Sequence, residues 1–160
     1  MTVADGRLRR AAWLALLLPA ALLGGAYAAQ YLGGLYPCEM CWWQRWPHFA
    51  AVVLGVLAAA LPRVRRPMVL LAALAIAVSG AIGAFHAGVE YGWWQGITGC
   101  ASALSATNAD DMLKEIMGTP LIRCDVAPWT FAGISLAGFN AILSLGGALV
   151  VTMLTIRKAR

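Results

Sequence analysis

Four long apolar runs dominate the chain, and short polar segments separate them. They cover residues 11–31, 42–61, 68–89 and 129–156; the first and the last contain no charged residue. Arg45 lies near the start of the second run, and His86 interrupts the third. An apolar run of about 20 residues can cross the hydrocarbon core of a bilayer as an α-helix. The pattern predicts an all-α membrane protein, a four-transmembrane-helix bundle forming one integral membrane domain over residues 1–160.

The composition supports a membrane location. Apolar residues make up 61% of the 160 residues and charged residues only 12%, whereas soluble domains carry about 25% charged residues. A chain of this length also corresponds to a single domain.

The basic residues predict which way the bundle faces. Nine of the 12 Lys and Arg residues fall before the first run, after the second or at the chain end: Arg7, Arg9, Arg10, Arg63, Arg65, Arg66, Arg157, Lys158 and Arg160. The positive-inside rule then puts both termini in the cytoplasm of a bacterium and loops 32–41 and 90–128 in the periplasm. Because the positive charge is split among three membrane-flanking segments, a nucleic-acid partner is disfavoured and membrane lipid is expected.

Two segments allow a second interpretation. The first run, with the small-residue sequence at residues 26–28, also fits a cleaved secretory signal, and the mass of the mature N-terminus would decide this. In the second outer loop, residues 108–118 predict a short amphipathic helix capped by Asn108 and ended by Gly118. Such a helix could lie flat on the membrane surface or pack on the bundle.

All four cysteines fall in the two predicted outer loops. Cys38 and Cys41 form a Cys-x-x-Cys pair in the first loop, and Cys100 and Cys124 flank the amphipathic segment in the second. The periplasm is oxidising, so disulfides persist there. A bond between Cys100 and Cys124 could be a structural staple or a partner in thiol–disulfide exchange with the first pair. A zinc site built from all four is disfavoured by the wide spacing of the second pair, so no metal is expected.

Arg45 follows the dithiol by four residues. If a helix begins near Cys41, Arg45 lies one turn further on the same face, where its charge would favour a thiolate. The alternative is that Arg45 reaches the lipid headgroups.

His86 and Glu90 form a second polar pair, four residues apart at the outer end of the third run. They could hydrogen-bond and handle protons. His48 receives no assignment. Six of the seven tryptophans lie near the outer boundary, which is typical of an interfacial belt, although one or two could wall a flat cofactor. With no dinucleotide fingerprint and no haem-attachment motif, elimination leaves a membrane quinone as the acceptor.

These residues together resemble the bacterial disulfide bond formation protein B (DsbB) family. The resemblance covers nearly the whole chain: four spans, Cys38-Glu39-Met40-Cys41 after the first, Arg45 after the pair, and a long second loop with Cys100 and Cys124. It implies a bundle in the inner membrane whose Cys100–Cys124 disulfide is attacked by a periplasmic thioredoxin-fold thiol oxidase (DsbA-like). Cys100 would form the mixed disulfide and Cys124 would then engage Cys38. Cys41 would be released as a thiolate that contacts ubiquinone or menaquinone, with Arg45 helping to bind it.

We therefore expect a protein-disulfide:quinone oxidoreductase. Cys38, Cys41, Cys100 and Cys124 are the expected catalytic residues, and Arg45, Cys41, His86 and Glu90 the expected quinone-binding residues. One alternative is a quinone-linked thiol oxidoreductase like the vitamin K epoxide reductases, in which the dithiol follows a late span. The others are a four-span transporter and a non-catalytic membrane protein with structural disulfides.

Overall fold

Four helices make up most of the computed structural model, which describes residues 3–98 and 122–156. They are α1 (Val3–Tyr31), α2 (Glu39–Ala60), α3 (Arg65–Glu90) and α4 (Leu136–Ile156), with a 3₁₀ turn at Pro62–Val64. Cys100, the predicted amphipathic helix over 108–118 with its Met112–Met117 face, and the basic cluster from Arg157 lie outside the described residues.

Local sequence explains where the helices end. Gly34, with a φ of +67°, follows α1 in the loop that leads to the dithiol; glycine adopts this left-handed conformation without steric cost. Helix α2 ends at Ala60, just before Leu61 and Pro62, because the residue before a proline is disfavoured in helical conformation. The three helices end within one residue of the first three predicted runs, but all three begin earlier, α1 by eight residues and α2 and α3 by three.

The fourth predicted run is wrong at its start. Instead of continuing a helix from Trp129, the chain forms a small antiparallel hairpin in which Thr130 pairs with Ser135 and Phe131 with Ile134. The turn residues Ala132 and Gly133 both have positive φ, as a two-residue turn matching the twist of a hairpin requires. Helix α4 therefore begins only at Leu136.

Small residues pack the half of the bundle that lies nearest the 3₁₀ turn at Pro62–Val64. Its buried cluster consists of Ala11, Ala12, Ala15, Ala51, Ala58, Val69, Ala72, Ala73, Ile76, Ala148 and Val151. Small side chains let helices approach closely, the usual way in which membrane helices gain packing contacts. At Gly55, for example, an added Cβ would lie 2.8 Å from the Cα of Leu16 on α1.

The outward faces of all four helices are apolar. Leu17, Val53, Leu74 and Ile142, one from each helix, are 57%, 59%, 61% and 58% exposed. Among the described residues, three helical segments are long and apolar enough to cross a membrane: Asp5–Tyr31, Pro62–Glu90 and Leu136–Ile156. Helix α2 is not among them, and its first turns carry Gln44, Arg45 and His48.

Candidate functional site: a dithiol beside a membrane-level cavity

The two cysteines of the first pair occupy the start of α2. Cys38 is the N-cap residue, and its sulfur accepts a hydrogen bond from the backbone N–H of Cys41 at 3.3 Å. This confirms that a helix begins near Cys41, whose sulfur gains from the positive end of the helix dipole. The two Sγ atoms are 2.9 Å apart, with Cys38 donating its S–H to Cys41.

That hydrogen bond separates the acidities of the two thiols. It acts with burial to raise the pKa of Cys38 to about 12, while the same bond lowers the pKa of Cys41 below its usual range. Both residues precede the predicted span over 42–61. Of the two sulfurs, Cys41 is therefore the more readily ionised, as the sequence led us to expect. The main cause is the hydrogen bond from the Cys38 thiol, and not the charge of Arg45.

His86 connects the dithiol to Glu90. Its Nε2 atom lies 3.6 Å from the Cys38 sulfur and 3.7 Å from Oε1 of Glu90, and both His86 and Glu90 side chains are only 2% exposed. The prediction that these two residues approach each other on α3 is confirmed. The structure adds that they meet the dithiol.

The hairpin before α4 holds the Glu90 carboxylate in place. The hydroxyl of Ser135 donates to Oε2 of Glu90 and accepts the backbone N–H of Gly138 at 3.1 Å. The phenol of Tyr91 accepts the backbone N–H of Ser135 at 2.9 Å and donates to the carbonyl of Gly133 at 3.1 Å. The segment that the sequence assigned to a helix therefore helps to build the polar end of the site.

Arg45 is buried against α1, with only 6% of its surface exposed. Its guanidinium donates to Oε1 of Gln30 at 2.7 Å and to the carbonyl of Ala26 at 3.4 Å. It also lies 4.8 Å from the ring centroids of both Tyr27 and Trp42. A guanidinium between two aromatic faces is favourably placed because the ring quadrupoles attract it. The headgroup alternative for Arg45 is therefore not supported.

Cys124 packs directly against the dithiol. It is 2% exposed and shares a buried cluster with Cys38, Met40 and Val89. Its sulfur also accepts the hydroxyl of Thr98 at 3.3 Å. The neighbouring Asp125 lies in solvent, where the Arg123 guanidinium, 2.6 Å away, lowers the pKa of its carboxyl. The structure thus brings three of the four predicted cysteines together; the fourth, Cys100, lies outside the described residues.

A cavity of about 260 Å³ opens beside these groups. Its lining combines apolar residues of α1 between Ala21 and Ala29 with polar residues of the other three helices: Cys41, Gln44, Arg45, His48, His86, Glu90 and Asn140. Tyr36 and Phe139 also line it, but no tryptophan does among the described residues. The tryptophans therefore fit the interfacial belt better than a cofactor wall.

A buried polar network that was not predicted from the sequence reaches from His86 into the bundle. Gln44 joins His86 to Asn140 of α4, and Asn140 in turn contacts His48, Ser144 and Ser79. Buried polar side chains in an apolar helix are costly unless paired, which was the available signal. His48, left unassigned above, is 3% exposed and lines the cavity.

The donor atoms at the dithiol also form a potential metal-binding group. Single ligand atoms of Cys38, Cys41 and His86 all lie within 4.8 Å of one another. Thiolate and imidazole are the ligands that zinc and cadmium prefer. The expectation of no resident metal stays a prediction.

Comparison with known proteins identifies the family. The family described as "Disulfide bond formation protein DsbB" matches residues 8–154. The chain belongs to the DsbB family. It is also 22% identical, over 77% of its length and 73% of the relative's, to an uncharacterized protein, RP370, from Rickettsia prowazekii (strain Madrid E). No solved structure matches. As a DsbB member with at least three membrane-competent helices, the chain is a membrane disulfide oxidoreductase.

Proposed function

We propose that this DsbB-family chain transfers two electrons from a periplasmic thioredoxin-fold dithiol oxidase to a membrane quinone. The observation that carries the proposal is the cavity that both Cys41 and Arg45 line, with apolar residues contributed by α1 and polar residues by the other helices. The apolar residues suit a lipid-soluble ring, and the polar residues offer a thiolate, a cation and imidazoles. Residues with these properties fit a quinone. When bound, the quinone would be the acceptor for two electrons.

The topology follows from the same helices. Helix α2 packs within the bundle and exposes Val53 as α1, α3 and α4 expose their own apolar residues, so we propose that it crosses the membrane as a fourth span. With Arg63, Arg65 and Arg66 after α2, the termini would face the cytoplasm and the cysteines the periplasm of the inner membrane.

The electrons would pass through two disulfides. The partner's thiolate attacks the Cys100–Cys124 disulfide at Cys100, which forms the mixed disulfide, and Cys124 leaves as a thiolate. The partner's second thiolate then breaks the mixed disulfide, so that the partner leaves oxidised and Cys100 is released as a thiolate. The Cys124 thiolate then attacks Cys38 of the Cys38–Cys41 disulfide, and Cys41 leaves as a thiolate. Burial of Cys124 in one cluster with Cys38 supports this step.

The chain's own residues then favour return to the oxidised state. Attack by Cys100 on Cys124 re-forms the outer disulfide and leaves both electrons on the Cys38–Cys41 dithiol. Cys41 lines the cavity as the more acidic thiol, and the buried positive charge of Arg45 favours negative charge arriving there. As the pair re-forms its disulfide, the Cys38 proton would pass to His86 Nε2 while Nε2 gives its own proton to Glu90. Because Cys41 reacts as a thiolate, the second proton needed with the two electrons would come from water.

The experiment supplies purified full-length protein in nanodiscs with a reduced thioredoxin-fold oxidase and short-chain ubiquinone, and follows quinone absorbance. Cys38→Ser and Cys41→Ser should abolish reduction, and Cys100→Ser should block the partner's oxidation. Arg45→Ala should raise the quinone KM, whereas the matched control Arg63→Ala, which removes an exposed arginine from the opposite end of α2, should not. Full turnover in Cys41→Ser would end the proposal.

A further inference from the structure

The amides of Gln44 and Asn140 meet at the centre of the buried polar network. Asn140 donates through Nδ2 to Oε1 of Gln44 at 2.8 Å, joining α4 to α2. Both residues line the cavity, and Gln44 is 7% exposed. Within the part of the chain that the structure describes, each amide hydrogen-bonds to buried groups of the bundle, so neither orientation is set by solvent.

Backbone carbonyls fix which way each amide points. The Nε2 group of Gln44 lies 3.1 Å from the carbonyl of Met40, and the Nδ2 group of Asn140 lies 3.2 Å from the carbonyl of Ser79. A carbonyl can only accept, so each amide must present its NH₂ there. Flipping either amide would set two oxygens against each other in a low-dielectric interior, where an unmade hydrogen bond is costly.

The fixed Gln44 amide decides where His86 carries its hydrogen. The second N–H of Gln44 Nε2 points at Nδ1 of His86 from 2.9 Å, so Nδ1 must be the acceptor and the ring hydrogen must sit on Nε2. The groups facing Nε2 are the Cys38 sulfur and the Glu90 carboxylate, both acceptors, and the backbone of Cys124 also interacts with His86. We propose that Gln44 and Asn140 are positioning residues that hold His86 in the Nε2–H tautomer, with this N–H directed at Cys38.

His48 provides an internal comparison. Its Nε2 lies 2.9 Å from Oδ1 of Asn140, which also accepts the hydroxyl of Ser144 at 2.8 Å. Since Nδ2 of Asn140 is held by Gln44 and Ser79, Oδ1 can only accept here, and His48 also carries its hydrogen on Nε2. Its Nδ1 has no hydrogen-bond partner among the described residues. The Gln44–Asn140 amide pair thus determines which nitrogen carries the hydrogen in both imidazole rings.

Gly83 of α3 makes room for the amide pair. A Cβ added at this glycine would lie 2.9 Å from Nδ2 of Asn140 and 3.0 Å from Oε1 of Gln44. The absence of a side chain at Gly83 therefore serves more than helix packing. Gly83→Ala would displace the two hydrogen-bonded amides without changing any polar group. Gly146→Ala in α4 is the matched control, because nothing lies within 4 Å of a Cβ added there.

The consequence for the chemistry rests on the proposed function, whereas the tautomer does not. Each time a disulfide bond to Cys38 breaks with its electron pair left on that sulfur, the Nε2–H of His86 donates to the new thiolate. No proton has to move for this stabilisation. With the opposite tautomer, Nε2 would present a lone pair to the thiolate and repel it.

The test reads the tautomer directly, by ¹⁵N NMR of histidine-labelled full-length protein, reduced and in nanodiscs. The chain has only two histidines, so His48→Gln assigns both sets of signals. Wild type should show His86 with a protonated Nε2 and an unprotonated Nδ1. Gln44→Glu, which replaces the donor by an acceptor, should move a proton onto Nδ1, and Gly83→Ala should give a mixture while Gly146→Ala stays as wild type.

Two outcomes would overturn the inference. One is a wild-type His86 protonated at Nδ1, and the other is a Gln44→Glu protein whose His86 signals do not change. If Gln44→Glu does not fold, identical spectra for Gly83→Ala and Gly146→Ala refute it instead. Because none of these spectra involves quinone or the partner, failure of the electron-transfer proposal would leave this result standing, and the reverse also holds.

Discussion

The unequal acidity of the two dithiol sulfurs predicts which one an alkylating reagent reaches first. Alkylation requires the thiolate. With its pKa raised to about 12, Cys38 would be ionised in only about one molecule in 10⁴ at pH 8, whereas a thiol with the ordinary pKa of about 8.5 is about one-quarter ionised. Because Cys41 has a pKa below that range, it should react more than about a thousandfold faster.

The assay treats reduced protein in nanodiscs with iodoacetamide for short times and counts modified Cys38 and Cys41 by peptide mass spectrometry. From pH 8 to pH 10 the initial rate at Cys38 should rise about 100-fold, since its thiolate fraction rises tenfold per pH unit below its pKa. The rate at Cys41 should rise much less over the same range, because its lowered pKa leaves a smaller part of the thiol still to be ionised.

A pair of variants isolates the cause. Cys38→Ser keeps a hydroxyl that can donate to the Cys41 sulfur, so Cys41 should still react quickly at pH 7. Cys38→Ala removes the donor, which raises the pKa of Cys41 and should slow its alkylation at pH 7 but not at pH 10. The reasoning is refuted if Cys38 reacts as fast as Cys41 with a rate that is flat between pH 8 and pH 10.

Two further predictions concern packing and metal binding. Gly55→Ala, whose Cβ would lie 2.8 Å from the Leu16 backbone, should destabilise the bundle by about 1–3 kcal/mol, whereas Gly25→Ala, with nothing within 4 Å, should not. Thermal unfolding in nanodiscs compares them, and equal midpoints would contradict the α1–α2 contact. Cadmium should bind reduced protein through Cys38, Cys41 and His86, giving a thiolate-to-metal ultraviolet band that Cys41→Ser removes; a band of full intensity in that variant would place the metal elsewhere.

The helices and the dithiol were predictable because their signals are local. Uncharged runs mark α1, α3 and α4, and the Cys-x-x-Cys after a Gly-Gly-containing loop marks the start of α2. The hairpin before α4 was not predictable, because residues 129–135 carry no charge and continue directly into the uncharged run of the helix that follows. Only the contacts of Ser135 with Glu90 and Tyr91 reveal that this segment holds the Glu90 carboxylate in place.

The polar network was beyond the sequence for a different reason. Gln44 and Asn140 are 96 residues apart, and nothing local to either one indicates its partner. His48 stands in an apolar run, where a lone histidine gives no indication of its partner. Similarly, the position of Arg45 in the chain suggested the Cys41 sulfur as its neighbour, whereas packing of α1 on α2 gives it Gln30, Ala26 and two aromatic rings.

The setting of Arg45 has a consequence for the conditions under which the site operates. The guanidinium is 6% exposed, and among the described residues no carboxylate forms an ion pair with it. Its charge is therefore not cancelled, and burial keeps dissolved salt from screening it. The electrical bias that Arg45 imposes on the cavity should therefore be the same at low and at high ionic strength.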